Sequence, residues 1–318
     1  MSSLKTENLM IASDTPGISL HLRRKHRADI AAFGPERTVL LMHGATLPAE
    51  SLYDVPVGQG TFMDVLAKAG FDVYALNVRG FGASTRPVGM LGAANAAPPQ
   101  VRTEEAVRDL AAAATHILST QALSRIVLIG MSWGGTVTGA YTAAHPEHVA
   151  KLVLIAPQWL NDGSPRIDPG GPVQAYRLFD VRGFRARWLE GVPAQLQEEI
   201  LPDTWFEQWA AVMLGSDPAA RDGIVRAPAG VIQDVREYWS AGRPFYDPAS
   251  ITAPVLLLRA EWDRDVLQPQ MAALFESLSR ARYRRWVEIG QGTHMVVMEK
   301  NRWQVLQEIL GFLTTDPP

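Results

Sequence analysis

The chain has no cysteine among its 318 residues, and that absence excludes disulfides, a thiolate nucleophile and cysteine-bound metals together. Long apolar runs are missing too. No stretch reaches about 18 uninterrupted apolar residues, the length of a membrane span, and the opening Met1-Ser2-Ser3-Leu4-Lys5-Thr6-Glu7-Asn8 lacks the apolar core of a secretory signal. A cytoplasmic protein without a membrane partner is expected. Neither sign of charge dominates: 30 Lys and Arg stand against 33 Asp and Glu, for a formal net charge of -3. Outside the short basic patch His21 to Arg27 no like charges run together, so no nucleic-acid partner is expected. No two histidines stand four apart around a glutamate, the spacing of helical zinc hydrolases, and neither a metal nor a cofactor is expected. Small neutral substrates suit this balance, bound by a monomer or a homodimer.

What is present is an ordinary globular composition, 47% hydrophobic and 20% charged, enough for a sizeable core. Gly17 to Arg24 reads as an edge strand, Arg37 to Met42 as a buried strand, Thr61 to Ala69 as a helix closed by Gly70, and Phe71 to Val78 as the next strand. Arg79-Gly80-Phe81-Gly82-Ala83-Ser84 is a glycine-punctuated loop that runs into an Ala-, Gly- and Pro-rich stretch, Val88 to Pro99, expected to be a mobile surface insertion. A helix from Thr103 to about Gln121, the strand Arg125 to Ile129, another helix and the strand Lys151 to Ile155 follow. This alternation predicts an α/β fold with a mainly parallel sheet, helices on both faces, and ligands at the carboxyl ends of the strands.

From 157 to 250 the alternation stops. That segment holds helical patches and five of the nine tryptophans, Trp159, Trp188, Trp205, Trp209 and Trp239, and reads as an inserted helical cap. Strand, helix, strand and helix then resume at Pro254 to Ala260, Pro269 to Arg280, Tyr283 to Ile289 and Val296 to Leu313. The expected organisation is a core of 1–156 and 251–318 with a cap, 157–250, lying over its strand ends.

The stretch Gly130-Met131-Ser132-Trp133-Gly134-Gly135 follows an apolar strand and opens a helix, the context that a G-x-S-x-G nucleophile elbow requires. Its glycines clear space for strand and helix to pass closely, and the helix start offers N–H groups to a developing oxyanion. Later in the chain Glu261-Trp262-Asp263-Arg264-Asp265 follows one strand and Gly290-Gln291-Gly292-Thr293-His294-Met295 the next. Serine, acid and histidine thus occur in the order of that architecture.

With His43-Gly44 before the first helix and the cap, these motifs resemble the α/β-hydrolase fold family over essentially the whole chain. The resemblance implies Ser132 as nucleophile, His294 as general base and acid, and Asp263 as the carboxylate orienting the imidazole, with Asp265 its rival. It implies an oxyanion hole of the backbone N–H groups of Trp133 and Ala45, with Thr46 the second choice for the latter. The expected reaction is hydrolysis of a small to medium carboxylic ester, an aromatic monoester or lactone among them, through an acyl-enzyme. Trp159, Trp205, Trp209, Trp239 and Met295 are the expected pocket wall, the tryptophans serving first as cap core.

Other readings stand beside it. The Ser-Trp-Gly tripeptide is shared with relatives that release amino-terminal proline, but their His-Gly-Gly-Pro-Gly loop is replaced by His43-Gly44-Ala45-Thr46-Leu47-Pro48. Carbon-carbon bond hydrolysis uses the same triad, and a non-catalytic ligand-binding role is a third class. His43 reads as a loop brace, and His145 and His148 as surface groups. Glu190, Glu198, Glu199, Glu207 and Glu237 read mainly as solvated helix faces rather than as an amine site.

Overall fold

The computed structural model describes residues 3–161, 163 and 165–315. Strands β1 (Leu4–Ala12), β2 (Ser19–Arg27), β3 (Thr38–Met42), β4 (Asp72–Asn77), β5 (Ile126–Met131) and β6 (Val149–Ile155) precede a ribbon of β7 (Tyr176–Asp180) and β8 (Ile224–Pro228). Strands β9 (Val255–Ala260) and β10 (Arg284–Ile289) then complete an eight-stranded sheet in the order β1-β2-β4-β3-β5-β6-β9-β10. The β1-β2 and β2-β4 pairs are antiparallel and the remaining pairs parallel.

The helices of the sheet layers are α1 (Ala49–Tyr53), α2 (Phe62–Lys68), α3 (Thr103–Thr120) and α4 (Trp133–Ala144). Between β6 and β9 lie α5 (Phe184–Trp188), α6 (Gln197–Ile200), α7 (Asp203–Gly215) and α8 (Gly230–Asp234), and after β9 come α9 (Gln268–Ser277) and α10 (Arg302–Thr314). Among the described residues no helix is long and apolar enough to cross a membrane.

The period of two along a strand divides the core. Val39 and Leu41 of β3 pack with Phe62 and Leu66 of α2 and Val305 and Ile309 of α10. Leu40 and Met42 pack on the opposite face with Leu110 of α3, Val137 of α4 and Leu274 of α9. Strands β3, β4, β5, β6 and β9 are buried throughout, so they read as continuous apolar runs rather than as alternating ones. Helix α2 starts where a capping box forms: the Thr61 hydroxyl accepts from Asp64 N–H, and the Asp64 carboxylate accepts from Thr61 N–H.

Four features differ from the sequence reading. The strand expected at the edge, β2, lies between β1 and β4; the edge is β1, whose mixed, largely exposed residues carry little apolar signal. The closing helix begins later than Val296, because Val296–Met298 forms a 3-10 turn and α10 starts only at Arg302. The segment between β6 and β9 is not purely helical, since β7 and β8 pair within it. The insertion Val88 to Pro99 is fastened to that ribbon: Ala175 N–H donates to Ala94 O at 2.8 Å and Tyr176 Oη to Gly92 O at 2.9 Å.

Candidate active site

Strand β5 delivers the chain to Ser132 through six buried residues, and α4 leads away from it. Ser132 has φ 55° and ψ -122°, a conformation that non-glycine residues adopt only when their surroundings over-determine it. Its N–H donates to Ile155 O at 2.8 Å and its carbonyl accepts from Gln158 N–H at 3.1 Å. A Cβ on Gly130 would overlap the Gly134 carbonyl and the Thr138 hydroxyl, and a Cβ on Gly134 would overlap the Met42 and His43 carbonyls. Only hydrogen at these two positions lets strand, helix and the loop after β3 converge.

That convergence sets the electrostatics beside Ser132. The N–H of Trp133 sits at the first position of α4, where no intrahelical acceptor exists. The loop carrying Ala45 passes alongside: a Cβ on Gly44 would lie 3.5 Å from that of Ser132. The Trp133 indole is buried, and its Nε1 donates to Thr103 Oγ1 at 2.8 Å. His43, fully buried, meets Gly44 O through Nδ1 at 2.7 Å and accepts the Val78 N–H on Nε2 at 3.3 Å. Burial lowers its pKa to about 4, so the ring is neutral and braces the loop.

The acid and the histidine come from the loops after β9 and β10. Asp263, 1% exposed, accepts the N–H groups of Asp265 and Val266 on Oδ1, both at 2.8 Å, and its Oδ2 lies 2.8 Å from Nδ1 of His294. Asp265 turns away, to Nη2 of Arg187 at 2.7 Å. Burial by itself would lower the His294 pKa, but the charge and hydrogen bond of Asp263, and then the charge of Asp265, outweigh it and push the value up to about 9.

Glu299 went unrecognised in the sequence. It is fully buried and accepts from Thr293 N–H at 3.0 Å, from the Thr293 hydroxyl and from Trp188 Nε1 at 2.9 Å, and burial raises its pKa to about 7. It therefore ties the residue before His294 to α5. The one sequence signal was an acid directly following the apolar Val296-Val297-Met298.

Ser132 and His294 both line a cavity of about 100 Å³, together with Ala45, Thr46 and Met295. The tryptophans expected there lie elsewhere. Trp209 and Trp239 are fully buried and Trp159 is 3% exposed; Trp159 packs on Tyr246 with ring centroids 5.4 Å apart, Trp209 on Trp188 at 5.2 Å, and Trp205 faces the Arg302 guanidinium at 5.0 Å. Large flat rings are absorbed by the hydrophobic clusters on the two faces of the sheet, leaving Phe179 and Phe184 as the aromatic wall. The five glutamates weighed as an amine site do not face the cavity, which three arginines line instead: Arg166, Arg177 and Arg187. Glu190, Glu198, Glu207 and Glu237 pair with Arg166, Arg185, Arg182 and Arg102.

Among the described residues one group could hold a metal ion, His145, Glu147 and His148. It stands at the far end of α4 from Ser132, roughly 18 Å along the helix axis. The cavity itself is equipped for proton transfer. An imidazole held to a carboxylate through Nδ1 presents Nε2 as the proton acceptor, and the free amides beside a serine can hold a negative oxygen.

Comparison with known proteins agrees with this fold. The family model described as alpha/beta hydrolase fold matches residues 37–301. Bifunctional epoxide hydrolase 2 of Sus scrofa is 26% identical over 168 residues, 52% of this chain and 25% of that protein, so the match spans about a quarter of the relative's length. A thermophilic esterase from Thermogutta terrifontis superposes with a TM-score of 0.58 at 20% identity, covering 97% of this chain and 100% of the other. A serine hydrolase involved in carbazole degradation gives 0.65 at 17% identity, covering 98% and 99%.

Proposed function

The chain belongs to the α/β-hydrolase fold family, and on that premise we propose that it is a serine hydrolase cleaving small carboxylic esters through an acyl-enzyme. The observation that carries this reading is Ser132 at its strained elbow, sharing a cavity with His294, whose Nδ1 lies 2.8 Å from the buried Asp263 carboxylate. Ser132 Oγ attacks the ester carbonyl carbon as His294 Nε2 takes its proton. The oxyanion accepts the N–H groups of Trp133 and Ala45. Collapse breaks the bond to the alcohol oxygen, which leaves with the proton from His294. Water, deprotonated by the same nitrogen, then attacks the acyl carbon and releases the acid, returning the proton to Ser132. Asp263 stays ionised and holds the ring and its tautomer.

The same residues weigh against the neighbouring chemistries. Family members that open epoxides carry an aspartate at the elbow, where this chain has Ser132. An aminopeptidase would need to receive an ammonium group, and the cavity presents Arg166, Arg177 and Arg187. The segment 157–250, read as a cap, supplies the outer wall. A panel of short soluble esters tests the proposal: wild type turns over at least one, and Ser132→Ala loses several orders of magnitude while melting as wild type does. Retention of more than roughly a tenth of the rate in the alanine variant would remove Ser132 from the mechanism.

A further inference from the structure

The arginines of the cavity are not equivalent. Arg187 donates to Asp265 at 2.7 Å, and Arg166 pairs with Glu190. Arg177 meets no carboxylate among the described residues. Its Nη2 donates to Ala45 O at 3.1 Å and to Thr46 Oγ1 at 2.5 Å, while its Nε is shut off from solvent without a hydrogen-bond partner. Enclosure and then repulsion by Arg187 lower its pKa to about 10, which still leaves it charged at neutral pH.

Its placement follows from the strand that carries it. Side chains alternate along β7, so Arg177 and Phe179 face the cavity while Leu178 between them is 70% exposed. A half-buried guanidinium whose Nε is cut off from solvent and that has no counter-ion is costly to maintain. Around the cavity Arg166 pairs with Glu190 and Arg187 with Asp265, and Arg177 is left without a carboxylate of its own.

We propose that Arg177 is a carboxylate-binding residue, and that the ester hydrolysed here carries one free carboxylate on its acyl side, as a half-ester of a short dicarboxylic acid does. The inference rests on the ester-hydrolase reading for the scissile bond and on Arg177 alone for the second acid group. The guanidinium bonds the carbonyl of Ala45, the residue whose N–H is assigned to the oxyanion, so the carboxylate sits only a few bonds from the scissile carbonyl. Phe179, Phe184 and Met295 cover the methylenes between. The chain's net charge of -3 does not describe this local field, and the small neutral substrate that suits the overall balance gives way to an anionic one.

The experiment compares kcat/KM for monomethyl glutarate and methyl pentanoate, and measures glutarate binding by calorimetry. Wild type favours the half-ester by tenfold or more; Arg177→Gln lowers that ratio by about tenfold to a hundredfold, the worth of a charged hydrogen bond, and Arg177→Lys restores part of it. Glutarate binds wild type and Ser132→Ala and is lost in Arg177→Gln. Turnover of methyl pentanoate with no preference for the half-ester and no glutarate binding overturns the carboxylate site while leaving the ester reading intact. Glutarate binding that depends on Arg177, with neither ester hydrolysed, supports the site and instead sinks the ester reading. An equal fall for both esters in Arg177→Gln would make the residue a brace for the Ala45 loop and end the proposal.

Discussion

Oδ2 of Asp263 and Nδ1 of His294 lie 2.8 Å apart, while the other carboxylate oxygen of Asp263 is held by two backbone N–H groups. The aspartate is thus fixed before it meets the ring, and Asp265, two residues on, is engaged with Arg187 instead. Asp263→Asn is expected to reduce kcat by on the order of 10⁴, by favouring the wrong imidazole tautomer. Asp265→Asn should cost far less. Steady-state kinetics of the two variants on one ester check the ranking, and a reversed order would transfer the role to Asp265.

The same pair sets the pH dependence. A protonated ring cannot accept the serine proton, so kcat/KM rises with pH as His294 deprotonates. An ordinary histidine would place that rise near 6.5; here it should centre near the raised value of about 9. Asp265→Asn removes one of the charges that raise it and leaves Arg187 unpaired, and both changes move the midpoint down. A midpoint near 6.5 in wild type, or one unmoved in the variant, would mean that these carboxylates do not hold the proton on the ring.

Glu299 gives stability a separate pH slope. Its carboxyl binds a proton more tightly in the folded chain than its ordinary value of 4.5 implies, with a pKa of about 7. The stability it contributes is therefore complete below pH 4.5 and disappears as the pH climbs to about 7, a change on the order of 2–3 kcal/mol. His294 loses its own contribution later, between 6.5 and about 9. Chemical denaturation at pH 4.5 and 7 should show the loss in wild type and a flatter profile in Glu299→Gln; equal slopes would mean that Glu299 titrates at an ordinary value.

Gly134→Ala tests the close approach at the elbow. The added methyl would overlap the carbonyls of Met42 and His43, so the loop bearing Ala45 must shift. Overpacking of this kind costs about 1–3 kcal/mol, and displacement of the oxyanion donors should lower kcat by tenfold or more. Urea unfolding and kinetics measured on one preparation decide it, since unchanged values for both would mean that strand, helix and loop have room to spare.

The elbow was legible in the sequence because its backbone strain admits so few residue types: glycines at 130 and 134 around a serine, set between an apolar strand and a helix, fit little besides a nucleophile turn. Asp263 and His294 were legible by position, the first a few residues beyond the apolar β9 and the second a few residues beyond the mixed strand β10. The wall of the cavity was not. Asp180 pairs with Ile224 across a long intervening stretch, and five-residue strands mixing charged and aromatic residues leave no periodic trace that would have put Arg177 on an inward face. Tryptophans drew notice by their size, yet size is also what core packing consumes, and Trp209 and Trp239 went there. Strand β1 escaped notice because it holds its place through pairing with β2 rather than through burial.

The cavity draws its two kinds of residue from different parts of the chain. Ser132, His294 and the Ala45 loop hang from strand ends scattered from β3 to β10, whereas Pro165, Arg166, Ile167, Arg177, Phe179, Phe184 and Arg187 come from one continuous stretch of the inserted segment. On the proposed mechanism, chemistry and selectivity are therefore separately heritable: a lineage can exchange or reshape 165–187 and acquire a new diet, while the proposed triad passes down unaltered.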